Sequence, residues 1–350
     1  MKIVFISSDK DRENNLADAF LAGVARAGDD VQKVFKSTRG NFDDGDAFCV
    51  VGVKSLKLVS QIKAAGKHVI FFDKGYFRHR GPNRTWEFWR IAVDGHHPTH
   101  YVAMARHSSL RWDKISGRRA VAPKSWREDG GHIVYAGSSE KYHRFVGLKD
   151  PTEYAKDVIS ELKKITNRLI VYRPKPTWEA AEPVDGANFS PRTDSIHDAL
   201  QGAWCLVTNG SNASFDAIIE GVPCVVLGEA IAKPISSQYL QDVENPYLAS
   251  DDERQQWFSN LAWCMFTEQE MSIGLAWQVI KPQLFGNMVD ENALEFVAGR
   301  GMRPSKALLK KTGQWQKDKN KGKTKRTKEE QRRVKPFKKG KKRDTDDWAF

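Results

Sequence analysis

The stretch TNGSNASFDAIIEGVPCVV, residues 208–226, runs from a polar turn through a short helical pattern into an apolar strand. Gly210 lets the backbone turn sharply, and three helix-capping residue types surround it. These are Ser211, Asn212 and Ser214. A helix over 213–220 would point its free N–H groups and positive dipole end at the turn, which is an anion-binding arrangement. Two interpretations stay open: a capped connection inside an α/β domain, or a loop that holds a phosphate.

Apolar runs of strand length alternate with helical patterns on both sides of this stretch. The predicted strands are KIVFIS (2–7), AFCVVGV (47–53), HVIFFD (68–73), HIVYAG (132–137), RLIVYR (168–173), WCLVTN (204–209) and VPCVVLG (222–228), with YVAMA (101–105) as a possible further one. The predicted helices cover 16–28, 55–66, 150–166, 195–203 and parts of 253–284, with Asp150 as N-cap and Pro151 at the first position of the third. Such alternation predicts parallel, doubly wound sheets.

The fold class predicted is therefore α/β, with two Rossmann-like domains facing a cleft. We place the first domain at 1–125 and the second, with a helical cap, at 126–300. Residues 301–350 lose apolar periodicity and become rich in Lys and Arg, so a disordered basic tail is expected there.

Composition limits the class of protein. Cys49, Cys205, Cys224 and Cys264 lie in apolar runs without C-x-x-C spacing, which predicts buried, reduced thiols. The N-terminal apolar run is too short for a signal peptide, and no run of about 18 apolar residues occurs. We expect a cytoplasmic protein without a membrane partner, and a monomer.

The net charge of +12 is unevenly distributed. Residues 301–350 hold 19 basic and 6 acidic side chains, and residues 74–127 hold 12 basic and 3 acidic ones. The remainder of the chain is acidic. Two separate basic regions therefore need separate explanations.

Several common sites are excluded or disfavoured by motif. The chain has no G-x-x-x-x-G-K-[ST], which excludes a P-loop, and no G-x-G-x-x-G after the first strand, which argues against a dinucleotide enzyme. The histidines show no H-E-x-x-H spacing. His96 and His97 in DGHHPTH are either ligands or, as we expect, solvated imidazoles of a loop. No essential metal and no tightly bound cofactor are expected.

The run SFDAIIEGVPCVV (214–226) resembles the S-x-E-A-x-x-x-G-x-P-V-[IV] signature of nucleotide-sugar glycosyltransferases of the GT-B fold. FFDKGYF (71–77), QWFSNLAW (256–263) and GLAW (274–277) add a sparse resemblance to phage-encoded proteins of this type. The resemblance implies two Rossmann-like halves and transfer from a nucleotide-sugar, with a UDP-sugar expected. It also implies that Ser211, Asn212 and Ser214 contact the donor phosphates and Asp216 the ribose, although Asp replaces the longer Glu.

Other donor contacts follow from position at strand ends. Arg173 and Lys175 come just after RLIVY, and Gly137, Ser138 and Ser139 follow HIVYA. Carboxyl ends of parallel strands form the ligand edge of such sheets, so both groups are predicted to face the donor phosphates. Surface charge and a simple turn are the alternatives.

An acceptor hydroxyl needs a proton acceptor. Asp73 ends the strand HVIFF and is the first candidate for a catalytic base, with Asp9 and Asp11 after the first strand as further candidates. Capping of the following turn is the alternative role for Asp73.

The basic regions predict an anionic acceptor. Arginine among aromatic residues suits nucleic acid, because guanidinium binds phosphate and aromatic rings stack on bases. The candidates in the first region are Arg78, Arg80, Arg84, Arg90, Arg106, Arg111, Arg118 and Arg119. Those in the tail are Lys323, Lys325, Arg326, Arg332, Arg333, Lys338, Lys339, Lys341 and Lys342.

A transferase fold with a nucleic-acid-binding tail resembles the phage hydroxymethylpyrimidine DNA glycosyltransferases. That resemblance implies a modified base in double-stranded DNA as the acceptor, flipped out of the helix for reaction. Two alternatives stay open: a glycosyltransferase that acts on a polysaccharide, lipid-linked glycan or protein, and a non-catalytic DNA-binding protein.

Overall fold

The computed structural model describes residues 1–35, 42–53, 56–77, 88–191 and 193–289, which form two sheets with helices around them. The first sheet contains β1 (Lys2–Ser7), β2 (Asp30–Phe35), β3 (Ala47–Val51), β4 (His68–Lys74), β5 (Trp89–Val93) and β11 (Met265–Phe266). Their order is β11-β5-β4-β3-β1-β2. The four strands β2, β1, β3 and β4 are parallel, whereas β5 runs antiparallel to β4 and β11 antiparallel to β5.

The second sheet is parallel throughout its described strands. It contains β6 (His132–Ala136), β7 (Leu169–Arg173), β8 (Asn188–Phe189), β9 (Ala203–Thr208) and β10 (Cys224–Val226). Their order is β10-β9-β6-β7-β8. The predicted α/β class with two Rossmann-like halves is confirmed.

The helices begin and end close to the predicted positions in most segments. They are α1 (Asp11–Arg26), α2 (Leu56–Ala64), α3 (Thr99–Met104), α4 (Leu110–Arg119), α5 (Glu140–Val146), α6 (Pro151–Ile165), α7 (Ile196–Leu200), α8 (Ala213–Ile219), α9 (Asp251–Ala262), α10 (Glu268–Ser272) and α11 (Leu275–Gln283). Asp150 caps α6 as predicted, because its carboxylate accepts a 2.9 Å hydrogen bond from the Thr152 backbone N–H. Among the described residues, no helix is long and apolar enough to cross a membrane.

The segment 101–105, predicted as a possible strand, is helical instead: residues 101–104 belong to α3, and Ala105 is its C-cap. A five-residue apolar run satisfies both the helical and the strand period, so length alone could not decide. The strand of this region is β5. Four of its five residues are buried, but Trp and Arg occur among them, so the sequence does not show an apolar run there.

The helical cap that we assigned to the second domain packs largely against the first sheet. Strand β11 pairs with β5, and α10 and α11 pack on α1. Gly23 of α1 permits the closest approach, since a Cβ there would lie 2.0 Å from the Met271 carbonyl oxygen. The chain thus returns to its first half after completing the second sheet.

A continuous apolar core joins the two halves. Phe77 of the first half lies 5.4 Å, centroid to centroid, from Phe215 of the second and 5.7 Å from Trp112. Trp112 stacks on Phe258 at 4.3 Å. These rings belong to one buried cluster that contains residues of both halves.

Candidate functional site

The stretch 208–226 folds as the end of β9, a tight turn, α8 and β10, and the turn satisfies its own N–H groups. The Ser211 backbone N–H donates to Thr208 Oγ1 (3.2 Å), the Ala213 N–H to Ser211 Oγ (3.2 Å), and the Ser214 N–H to the Ser211 carbonyl (3.2 Å). The free N–H groups expected at this helix start are therefore engaged within the turn.

Gly210 is required at this turn by close packing. A Cβ on Gly210 would lie 2.2 Å from the Tyr142 ring. Tyr142 in turn donates a 3.3 Å hydrogen bond from its hydroxyl to the Glu229 carbonyl, and burial raises its pKa to about 12. The turn and α5 are thereby held against each other at the cleft.

A cavity of about 90 Å³, the central cavity, lies between the two sheets beside this turn. Eight of the predicted site residues line it: Asp73, Arg90, Ser138, Ser139, Lys175, Gly210, Ser211 and Asn212. Val53, His96 and Tyr142 also line it. These side chains lie near the end of β4, in β5, and just after β6, β7 and β9. The structure thus brings them to the edge where parallel α/β sheets bind ligands.

Arg90 occupies the centre of this group rather than an outer surface. Its side chain is 1% exposed, and its two terminal nitrogens donate to Asn212 Oδ1 (2.9 Å) and Asp73 Oδ2 (3.1 Å). The Asn212 contact crosses the cleft between the halves. The prediction that Arg90 contacts nucleic acid on a basic surface is corrected, because the guanidinium is buried and engaged.

Asp73 and His96 form a pair beside Arg90. His96 Nε2 lies 3.3 Å from Asp73 Oδ2. Burial opposes ionisation of Asp73, but Arg90 and His96 outweigh it and hold the pKa of that carboxyl well below its usual range. Burial and the Arg90 charge lower the pKa of His96, and Asp73 partly offsets them. At neutral pH the group therefore combines an ionised carboxylate with a neutral imidazole.

His97 lies behind this pair. Its Nδ1 is 2.8 Å from the Tyr76 hydroxyl and 3.3 Å from the nearest Arg90 nitrogen. Burial, with Arg90 next in effect, lowers the pKa of His97 far below its ordinary value. The expectation of solvated imidazoles at His96 and His97 is wrong, since the loop that carries them follows the buried strand β5, which the sequence pattern did not reveal.

Ser214 does not reach the central cavity. Its side chain is fully buried and its hydroxyl donates to the Ser211 carbonyl at 3.0 Å, so the predicted phosphate contact is corrected to a structural one. Asp216, two residues later on α8, lines a different cavity of about 180 Å³, the second cavity, together with Phe215. Arg118, Arg119, Tyr76, Phe77, Val121, His197 and Ile219 also line it.

Of the remaining residues predicted to contact the donor, some line the central cavity and others make structural contacts. Lys175 lines the central cavity, whereas Arg173 is buried and donates to the Asp194 carbonyl at 3.0 Å. Gly137 does not line the cavity, and its N–H extends the sheet by donating to the Arg173 carbonyl (2.9 Å). Ser139 caps α5 by accepting from the Tyr142 N–H.

The predicted nucleic-acid arginines do not form one described surface. Arg106 donates to the carbonyls at the end of α3, and Arg111 is buried between the Ala262 and Met265 carbonyls and Glu270. Both are corrected to structural roles, because their donors bind the chain itself. Arg118 and Arg119 stand over Phe88 at the second cavity. Arg78, Arg80, Arg84 and all the tail candidates from Lys323 to Lys342 lie outside the described residues.

Asp9 and Asp11, the further base candidates, are exposed after β1 and do not line the central cavity. Asp11 is the first residue of α1, and its neighbour Arg12 stacks 4.2 Å over the Trp89 ring. Within the described ranges, no group of three or more His, Cys, Asp or Glu side chains is arranged to hold a metal ion.

No protein-family model matches the chain, and no curated protein matches it. Among solved structures, it is similar to the β-Kdo 2,7 transferase of KpsC from Thermosulfurimonas dismutans, at 14% identity over 79% of this chain and 98% of that chain, with a TM-score of 0.50. The β-Kdo 2,4 transferase of KpsC from the same organism matches at 12% identity over 73% of this chain and 89% of that chain, with a TM-score of 0.44. The first likeness supports the predicted fold of two facing α/β halves.

Proposed function

We propose that this chain is a glycosyltransferase that moves a sugar from a nucleotide-sugar donor to an acceptor hydroxyl, with the central cavity as the reaction centre. One observation carries the proposal: a cavity between two Rossmann-like halves gathers two cationic side chains and an Asp–His pair. The fold likeness to a protein described as a sugar transferase supports the same class of reaction.

The cationic side chains would stabilise the departing phosphate. Arg90 is buried, and Lys175 lines the same cavity, so both act where solvent screening is weak. Ser138 adds a hydroxyl that is buried, lines the cavity and has no hydrogen-bond partner among the described residues. A phosphate oxygen would satisfy that hydroxyl.

His96 would accept the proton of the acceptor hydroxyl. Asp73 was the first candidate from the sequence, but its low pKa makes it a weak proton acceptor. In the reaction we propose, the acceptor proton passes to His96 and the acceptor oxygen bonds to the anomeric carbon. The bond from that carbon to the phosphate oxygen breaks, and its electron pair leaves with the phosphate. Asp73 would orient the ring and stabilise its protonated form.

The nucleoside part of the donor would lie in the second cavity. Aromatic walls from Tyr76, Phe77 and Phe215 suit a base, and the Asp216 carboxylate suits the ribose hydroxyls. Asn212 at the central cavity and Asp216 at the second are four positions apart on the same turn and helix, so one donor could reach both.

A donor panel tests this function. UDP-, GDP-, CMP- and TDP-sugars are titrated by isothermal calorimetry against the full chain and against Lys175→Ala, with Lys164→Ala as the matched surface control. We expect one nucleotide class to bind and Lys175→Ala to weaken it about tenfold, as for one charge-assisted contact. No binding by any nucleotide-sugar would refute the proposal.

The acceptor that the sequence predicts is a hydroxymethylated pyrimidine in DNA. The specific support for it is the charge of residues 301–350, which are rich enough in Lys and Arg to bind phosphate without sequence preference. Label transfer from the bound donor is measured on DNA with hydroxymethylcytosine, hydroxymethyluracil or unmodified bases, for the full chain and for residues 1–302. Labelled modified DNA, with less label after truncation and at high salt, is the result this acceptor requires.

A further inference from the structure

Tyr76 connects the two cavities in which the proposed function places the donor. Its buried ring lines the second cavity and lies 5.7 Å from the Phe215 ring, centroid to centroid. Its hydroxyl lies 2.8 Å from His97 Nδ1, and the same Nδ1 is 3.3 Å from a terminal nitrogen of Arg90, which lines the central cavity. One tyrosine therefore contacts the second cavity with its ring and Arg90 through His97.

The positions of the protons in this group follow from its donors and acceptors. A guanidinium can only donate, so the His97 nitrogen that faces Arg90 carries a lone pair. The pKa of His97, lowered by burial and next by Arg90, agrees with a neutral ring. Burial raises the pKa of Tyr76, and Arg90 offsets only part of this increase, so the hydroxyl keeps its proton. The Tyr76 hydroxyl therefore donates to His97 Nδ1.

Two donors thus compete for one lone pair. Tyr76 holds it at 2.8 Å, and the Arg90 nitrogen stays at 3.3 Å from it. That nitrogen makes its shorter contact, 2.9 Å, with Asn212 Oδ1 across the cleft. Arg90 Nε has no hydrogen-bond partner among the described residues, so the guanidinium is held through its terminal nitrogens. Without the Tyr76 hydroxyl, the unpaired lone pair of the buried imidazole would draw Arg90 towards His97 and away from Asn212.

We propose that Tyr76 is a positioning residue for transfer, because its hydroxyl occupies the His97 lone pair and so keeps Arg90 directed towards Asn212 in the central cavity. This inference rests on the proposed function, in which Arg90 stabilises the departing phosphate. Reacting groups must lie within about 0.5 Å of their productive positions. A small displacement of the guanidinium therefore slows transfer although every group that contacts the donor is still present.

NMR on the full chain, with arginine and histidine labelled with the heavy nitrogen isotope, measures this positioning without any need for transfer. An N–H···N hydrogen bond produces a scalar coupling between its two nitrogens, and Arg90→Lys and His97→Phe assign the two signals. We expect no Arg90–His97 coupling in the unmodified chain, a coupling in Tyr76→Phe, and none in Tyr101→Phe. Tyr101 is the matched control, because its buried hydroxyl lies 2.6 Å from His107 Nε2 and it lines neither the central nor the second cavity.

Kinetics with the donor and acceptor of the proposed function measure the consequence for transfer. Tyr76→Phe keeps the aromatic wall of the second cavity, so KM for the donor should change by less than about twofold while kcat falls about tenfold. Adding His97→Phe to Tyr76→Phe removes the lone pair that attracts Arg90, and kcat should recover by about threefold or more. His97 also lines a separate cavity of about 320 Å³, which leaves room for the larger ring. Tyr101→Phe should change neither constant.

Four results would overturn the inference: an Arg90–His97 coupling in the unmodified chain, no coupling in Tyr76→Phe, an unchanged kcat in Tyr76→Phe, or a double variant slower than Tyr76→Phe. A merely structural hydroxyl predicts the last result, because a second loss then adds to the first. Circular dichroism establishes that each variant is folded. If Tyr76→Phe is not, the hydroxyl proton of Tyr76 in the unmodified chain decides, since it must couple to His97 Nδ1.

The two measurements separate this inference from the proposed function. If no nucleotide-sugar binds while the Arg90–His97 coupling appears in Tyr76→Phe, the transfer function fails and the positioning of Arg90 stands. If the donor binds and its sugar is transferred while the coupling stays absent in Tyr76→Phe, the transfer function stands and the positioning role of Tyr76 fails.

Discussion

Arg90 shows how one buried side chain can organise a site from both halves of a chain. Its guanidinium donates to Asp73 on its own sheet and to Asn212 across the cleft. A buried cation with an adjacent carboxylate keeps that carboxylate ionised, and here the same cation lowers the pKa of His96. The protonation states on which the proposed transfer depends are therefore linked through one residue.

The pH dependence of transfer tests that linkage. In the proposed reaction His96 must be neutral, so kcat/KM should rise with pH through a pKa below the usual histidine value and stay level above it. Asp73 raises the pKa of His96, so Asp73→Asn should move the acid limb to lower pH and reduce kcat about 100-fold. Asp18→Asn, in an exposed ion pair with Lys33, is the control and should leave both unchanged. An acid limb at equal or higher pH in Asp73→Asn would contradict the linkage.

Asp29 is a second buried carboxylate whose effect is on stability. Burial opposes its ionisation, but hydrogen bonds from Lys281, the Met1 amino group and Trp277 lower its pKa to about 2. Relative to the ordinary value, this shift corresponds to about 2 kcal/mol of stability. A depressed carboxyl pKa contributes above the unfolded value of about 3.9, and the contribution is lost as pH falls towards the folded value.

Urea unfolding of Asp29→Asn measures this contribution. We expect the variant to be less stable by about 2 kcal/mol from pH 8 to pH 5, with the difference narrowing below about pH 4. Asp44→Asn, in an exposed pair with Lys2, should change stability by less than about 1 kcal/mol. A difference that persists undiminished at pH 3 would show that packing, rather than charge, accounts for it.

Residue roles were the part that the sequence predicted least well. Position after a strand correctly brought Asp73, Ser138, Lys175 and Asn212 to one cavity. It could not separate Arg90 from Arg106, because the apolar pattern did not show that Arg90 lies in the buried strand β5 and that Arg106 follows α3. Ser214 and Arg173 share the strand-end positions of the cavity residues, and local hydrogen bonds turn them away.

At the scale of elements, α8 connects the site to residues 120–131, the linker between α4 of the first half and β6 of the second. Its start carries Asn212 at the cleft, and beyond its end the linker donates from the Arg127 N–H to the Gly221 carbonyl (2.9 Å). Gly221 has φ +71°, and a Cβ there would lie 2.0 Å from the Ser125 carbonyl oxygen. The glycine of the G-x-P in the opening stretch is thus a packing requirement at the linker.

A matched glycine pair tests this role. Gly202 also has a positive φ, at +67°, but an added Cβ would meet nothing within 4 Å. Gly202→Ala should therefore cost about 1 kcal/mol of unfolding free energy, and Gly221→Ala about 3 kcal/mol, because steric overlap adds to the backbone strain. Equal losses in urea unfolding would indicate that the linker moves away freely and that only φ matters.

Seven strands were predictable from apolar runs, whereas β2, β5, β8 and β11 were not. The buried strands β1, β3, β4, β6, β7, β9 and β10 all coincide with apolar runs. The edge strand β2 has no fully buried residue, and β8 is only two residues long, so neither produced an apolar run. Edge strands are bonded on one side only, and their side chains need not be hydrophobic.

At the scale of the whole molecule, the two halves share a core, and a segment that follows the second sheet in the chain packs on the first half. The aromatic rings of Phe77, Trp112, Phe215 and Phe258 pack in one buried cluster, and β11 with α10 and α11 covers the first sheet after the second is complete. The alternation of strands and helices in the sequence could not predict that the chain returns to the first sheet. The apolar periodicity of 253–284 indicates that one face of each helix is buried, but it does not indicate which sheet covers that face.

The return of the chain predicts that the first half does not fold alone. Residues 1–125 would expose the faces of α1, α4 and β5 that α10, α9 and β11 cover, and a domain that loses so much buried apolar area has little net stability left. We expect the fragment 1–125 to show no cooperative urea transition by far-UV circular dichroism, whereas residues 1–289 unfold in a single transition. Coexpression of 1–125 with 126–289 should restore a soluble complex, because the missing strand and helices are supplied by the second fragment. A cooperative transition in the isolated 1–125 fragment would show instead that the domain boundary predicted from the sequence is also a folding boundary, and that the shared aromatic core forms only after each half has folded.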